Sequence, residues 1–536
     1  KVAMPSRPGR VVTPPTITPN EVDALVAKTI AEAKSPVARV TDDEEFIRRV
    51  YLDLTGKLPT PQQVVGFAKS NTARKRTKLI EDLLASPDYG KHWARYWRDV
   101  ISYRATNQNL RFIPYEDLEK WLTEKFNANA PWDEIVTSLI TAKGEPEKNG
   151  ATAFVLAHAD QRRIPAPEVA GEISRIFLGV QIQCANCHNH PTDQWKREQF
   201  HEFAAFFAGT AAQRRSQTEP PTVVEDRRGS RYTMTDLKDP TKEIPVAPKF
   251  FLASSSEAVP PGLSVEQRRA LGASYITGQD NPWFARAFVN RVWYVLMGEA
   301  FYNPVDDMGP ERESEAQAAE VINTLADQWQ RGGYDVKWLI KTIMATKTYQ
   351  REVRSTDKAT GKIPFAANCP SKLRPDQILD SLAHALGFPA DGLPPGMGRG
   401  PGAVAKGEAL KKAIPAGLRG RFSLRGRFNQ LFAADPSTPN DEIGTTIPQA
   451  LFMMNNPLLQ RFVRADGPTV LGEILRSNPN NLQALNALYL RVLSREPTKE
   501  EVRVCGAYVE QVGNRKEAFE DILWSLINST EFISRR

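Results

Sequence analysis

Cysteine is scarce in this chain, and the other absences narrow the reading further. Four cysteines in 536 residues cannot build the disulfide framework of small secreted domains, so stability has to come from packed cores. No apolar run approaches the roughly 18 residues that a membrane-spanning helix needs. Charge of one sign is not concentrated either: 70 basic and 63 acidic residues are mostly interleaved, leaving a net charge of +7. That is too little for a dedicated nucleic-acid binder. There is no Gly-x-Ser-x-Gly, no phosphate loop ending in Lys-Ser/Thr and no His-Glu-x-x-His, so no hydrolase signature marks an active site. Residues 1–19 are Pro-rich (Pro5, Pro8, Pro14, Pro15, Pro19) and hold no charged-then-apolar leader; that says little about secretion, because a mature secreted chain has already lost its leader.

What is present is helical patterning. Val22, Leu25, Val26 and Ile30 follow a cap expected at Asn20. Thr41-Asp42-Asp43-Glu44 reads as a capping box, Gly56 as a stop, and Thr60-Pro61 as the next start. Trp93, Tyr96, Trp97, Val100 and Tyr103 form an aromatic stripe at helical spacing, read as core. Residues 215–262 turn Pro-, Thr- and charge-rich, with strand-like pieces at Thr222-Val223-Val224 and Arg231-Tyr232-Thr233-Met234. The expected fold is therefore mainly α. An extended segment (1–19) leads into a helical domain (20–212), a Pro-rich connector with a small β element (213–262) and a second helical domain (263–536).

Within that second domain, residues 391–428 are rich in Gly, Pro and Arg (Arg399, Arg419, Arg421, Arg425, Arg427). They are a candidate anion- or partner-facing loop, a solvated surface loop being the plainer reading. Asp306-Asp307 ahead of Met308-Gly309-Pro310 reads as a turn. There is also an internal echo: Tyr51–Thr60 (YLDLTGKLPT) against Tyr489–Thr498 (YLRVLSREPT), each a helix, a tight turn and a helix start.

The chemistry concentrates in one window. Cys184-Ala185-Asn186-Cys187-His188-Asn189-His190-Pro191 holds two of the four cysteines and two of the six histidines. Cys-x-x-Cys-His is the spacing that attaches a c-type haem, with Cys184 and Cys187 as thioether anchors and His188 as the iron's axial ligand. Haem c is attached outside the cytoplasm, so this reading carries an extracytoplasmic location and electron transfer or haem-dependent redox chemistry. For the opposite face of the iron His201 is the first candidate, ahead of His190, His158, His92 and a methionine. A zinc site is the alternative: Cys184, Cys187 and one or both of His188 and His190, completed by Asp193 or His201. That occupant would suit a structural or surface-assembly protein. A redox dithiol is the third reading, weakened by the helical pattern ahead of the motif where a strand is wanted.

Taken together, Arg48–Pro59, Leu83–Gly90 and Phe177–Pro191 resemble the planctomycete cytochrome-like domain of unknown function. Asn281-Pro282-Trp283-Phe284-Ala285-Arg286, Val289-Asn290-Arg291-Val292-Trp293 and Thr445–Leu451 are similar to the second domain that accompanies it. The resemblance implies an extracytoplasmic or surface protein of planctomycete-like bacteria, with Cys184, Cys187, His188, His190 and Asp193 as its distinctive cluster. It implies no established activity. The chain holds no separate additional Cys-x-x-Cys-His module, so an electron chain would need a redox partner protein.

Overall fold

The computed structural model describes residues 12–34, 36–105, 113–160, 163–214, 219–226, 230–252, 259–354, 365–391, 424–440 and 443–535. Among these the fold is mainly α, with three short two-stranded antiparallel pairings. No helix among them is long and apolar enough to cross a membrane.

The chain folds as two compact units, and both are discontinuous. The first comprises Lys1–Ser35, Gly90–Tyr349 and Asp435–Pro439; the second comprises Pro36–Tyr89, Gln350–Ala434 and Asn440–Arg536. The 213–262 segment, expected as a connector between domains, lies inside the first unit. Its strand-like pieces do pair. Thr210–Gln213 runs antiparallel to Thr222–Glu225, and Thr233–Thr235 antiparallel to Glu243–Pro245.

The first unit is organised around aromatic rings. Trp97 stacks on Phe288 at 5.7 Å between ring centres and lies 4.3 Å from Trp132. Phe288 stacks in turn on Trp329 at 4.5 Å. The stripe at 93–100 is thus core: Trp93, Tyr96, Trp97 and Val100 are buried. Tyr103, one turn further on, is not; it is 47% exposed. Phe177 joins the cluster through Trp132 and Phe154, which ties the segment ahead of the cysteine motif to the largest buried rings of the unit. Local starts follow side-chain capping. Pro19–Glu32 is capped by Thr18 with Glu21 reaching back, not by Asn20. Asn20 falls at the second helical position because proline takes the first, where its missing N–H costs nothing.

The second unit contains both halves of the internal echo. Asp43–Thr55 ends on Gly56 in the left-handed region, and Thr60 caps Pro61–Lys69 with Gln63 completing the box. Asn481–Leu493 ends on Ser494, also left-handed, and Thr498 caps Lys499–Val512 with Glu501 completing the box. Leu52, Leu58, Leu373, Phe428, Leu488, Phe519 and Phe532 share one core. Most of the 391–428 loop, including Arg399, Arg419 and Arg421, lies outside the described residues. Arg425 is buried in the helix Leu424–Phe432 and pairs with Asp380 and Asp391. It is therefore paired with carboxylates of its own chain, Asp380 and the exposed Asp391.

Candidate functional site

The site begins where a helix changes pitch. Ala166–Ile173 runs directly into a π-helical turn, Ser174–Leu178, and Gly179, with φ of 65°, stops it in the left-handed region. Ser174 Oγ donates to the Val180 carbonyl at 2.8 Å and closes the turn. Val180, Ile182 and Ala185 are buried, so the segment is pinned inward by apolar side chains up to the residue between the two cysteines. Gln183–Asn186 then forms a 3₁₀ turn, which leaves Cys184, Cys187 and His188 exposed.

The histidines around this turn are held in distinct ways. His188 Nδ1 lies 2.7 Å from the Asn189 carbonyl oxygen. A carbonyl can only accept, so Nδ1 carries the proton and the Nε2 lone pair is left free. Binding of the second ring nitrogen to a backbone carbonyl is the usual arrangement of a metal-ligating imidazole. His190 Nδ1 accepts from the Thr192 N–H at 3.3 Å, while the His190 backbone N–H donates to the Trp195 carbonyl at 2.8 Å. Asp193 Oδ1 accepts from the Gln194 N–H at 2.7 Å.

His201 is buried in the helix Arg197–Ala204, and both its ring nitrogens are engaged. Nε2 lies 3.0 Å from the Asn186 carbonyl and Nδ1 lies 2.8 Å from the Tyr232 hydroxyl. By the same argument Nε2 donates, and Tyr232 supplies the proton for the bond to Nδ1. Burial, with Arg197 nearby, holds the His201 pKa below its ordinary value although the Asn186 carbonyl opposes this. The neutral ring thus clips the middle of the Cys-x-x-Cys turn to the strand Thr233–Thr235 region, and iron ligation by it would break at least one of these bonds. Of the other candidate ligands, His92 and His158 are buried in the first unit. Burial pushes His158 down to about 4, against an upward pull from Glu172 and with a further downward push from Arg175.

Cys184, Cys187 and His188 therefore share one exposed turn, His190 and Asp193 flank it, and His201 supports it from behind. Among the described residues no group of three or more His, Cys, Asp and Glu side chains is arranged to hold a metal ion. Cys369 and Cys505 are not joined in a disulfide.

A set of charged residues not anticipated from the sequence lies just behind the motif. Arg175, on the π turn, binds Glu172 through Nε (3.0 Å) and Nη2 (2.6 Å) and Asp306 through Nη1 (2.8 Å). All three are at most 2% exposed. Burial pushes the Asp306 carboxyl up, but the Arg291 and Arg175 guanidiniums outweigh it and hold the group below the usual carboxylate range. Burial likewise works against the Arg175 charge, and the paired carboxylates outweigh that too. The available signal was Glu172 three residues before Arg175 inside the otherwise apolar run 169–178. Asp306 gave none, because a turn aspartate and a buried ion-pair partner look alike in sequence.

Residues 21–212 match a family model named PSCyt2, described as a protein of unknown function (DUF1549). Residues 267–399 match one named PSD1, also described as a protein of unknown function (DUF1553). The two follow one another in the order expected for the two-domain layout. The first match contains the whole Cys184–His190 window and the second contains Asp306. No curated protein and no solved structure matches the chain.

Proposed function

We propose that the chain is an extracytoplasmic c-type haem protein that passes electrons to a redox partner protein. Cys184 and Cys187 would hold the haem by thioether bonds and His188 would be its axial ligand; bound haem supplies one-electron redox chemistry. The observation that carries this reading is the state of the motif itself. Both thiols and the imidazole are exposed on one short turn, and the Asn189 carbonyl leaves the His188 Nε2 lone pair available. Haem attachment asks for those three residues only. Zinc asks for about four donors converging on one point, and the structure offers less support for that: Asp193 is bonded within its own turn and both nitrogens of His201 are taken.

The test is expression of the full chain in a host competent for haem c attachment, followed by acid-acetone extraction. The expected result is a Soret band that stays with the protein and is lost in Cys184→Ala. A protein that carries no haem and contains stoichiometric zinc would replace this reading with that of a structural or surface-assembly protein.

A further inference from the structure

The segment bearing the motif is secured at both ends by a single stretch far along the chain. At its start, the Gly179 carbonyl accepts from the Met308 N–H at 2.6 Å, and the Met308 side chain lies where a Gly179 side chain would stand. Two residues on, Gln181 Nε2 donates to Asp306 Oδ1 at 3.2 Å, while the other oxygen of Asp306 takes the bond from Arg175. Beyond the motif, Asp193 lies directly on Gly309, so close that a Cβ there would collide with its carboxylate. Gly309 has φ of −48°, which any residue adopts, so its missing side chain serves this approach and no backbone requirement. Residues 184–190 lie between these anchor points.

We infer that Pro304–Gly309 is the positioning element of the Cys184–His188 site, with Asp306, Met308 and Gly309 as its positioning residues. The motif belongs to the first family segment and its anchors to the second, so the two segments supply one site and neither supplies it alone. The aspartate buried under the motif is a further sign that the stretch is more than a link. A buried carboxylate is kept charged at a cost of desolvation, and here it is spent on fixing Arg175 and Gln181. The inference rests on reading 184–188 as the functional site but not on what occupies it.

The test uses the full-length protein without haem, as wild type, Gly309→Ala and Asp306→Asn, with Gly66→Ala as a control in open space. Amide hydrogen exchange is followed by peptide, and the relative alkylation rates of Cys184 and Cys187 are measured at a single pH. In Gly309→Ala the methyl must push the Asp193 carboxylate aside and disturb its bond to the Gln194 N–H; exchange across 179–195 should rise about tenfold, the upper end for one lost hydrogen bond. The rest of the first unit should exchange as in wild type, and the relative alkylation rates of Cys184 and Cys187 should change because the turn that presents them is less firmly held. Asp306→Asn should do the same from the other end; if it fails to fold, Gly309→Ala alone decides. An unchanged ratio of alkylation rates, unchanged exchange, or exchange that rises throughout the unit overturns the assignment. Neither measurement involves haem, so the positioning role can stand in a protein that never acquires it, and can fall in one that does.

Discussion

Acid should weaken the first unit through His158, and the size of the effect can be worked out. The ring is 1% exposed, lies 5.9 Å from Phe154 and is pushed by burial from 6.5 to about 4. At pH 7 it is neutral in the folded and the unfolded chain, and contributes nothing to the difference. Below pH 6.5 the unfolded chain takes up a proton that the folded one refuses until about pH 4. Stability is therefore lost progressively as pH falls across that interval, and the loss is complete below it. The displacement corresponds to about 3 kcal/mol. Nine of the ten tryptophans (all but Trp524) lie in the first unit, so urea unfolding followed by tryptophan fluorescence reports mainly on it. Between pH 7 and pH 4 the wild type should lose about 3 kcal/mol more than His158→Gln, which has no group to titrate there. An equal loss in both proteins would show that His158 is not the acid-sensitive group.

Three further outcomes are expected. Arg175→Met leaves Glu172 and Asp306 buried without their shared cation; it should destabilise the first unit by about 3–5 kcal/mol in the same urea experiment. Ser494 sits at φ of 59°, and its buried hydroxyl has no hydrogen-bond partner among the described residues. Ser494→Gly should therefore stabilise the second unit, by about 1 kcal/mol, read from its thermal transition by calorimetry. Tyr232→Phe removes the donor to His201 Nδ1 and should cost about 1–2 kcal/mol at pH 7, measured by urea unfolding.

The mainly helical fold was legible because its signals are local. Proline at the first helical position, Thr, Asp and Ser caps and apolar spacing mark helices such as Val336–Met344 and Val265–Ile276 without reference to the rest of the chain. The motif was legible for the same reason, its three key residues falling within five positions. What lay beyond the sequence was partnership at a distance. Nothing in the composition of 213–262 indicates that Tyr232 meets His201, and nothing at 304–309 indicates an anchor for a segment about 125 residues earlier. The arrangement of units was hidden for a related cause. The echo between Tyr51–Thr60 and Tyr489–Thr498 is visible in sequence, but not that both copies belong to one compact unit.

That arrangement has a consequence in time. In the second unit Arg535 Nε binds Asp53 Oδ1 at 2.7 Å, both side chains buried, across 482 residues of chain. Ser534–Arg535 also completes a strand pairing with Ser371–Lys372. At the pace of synthesis, Asp53 emerges about 25–95 s before its partner exists. Leu52 and Leu58, in the helices of 36–89, find their core partners only among residues 373–532, while the first unit has its aromatic residues in hand almost two hundred positions sooner. The unit holding the cysteine motif thus has its aromatic residues within the first 349 positions, whereas the other needs a residue as late as Arg535 to pair Asp53.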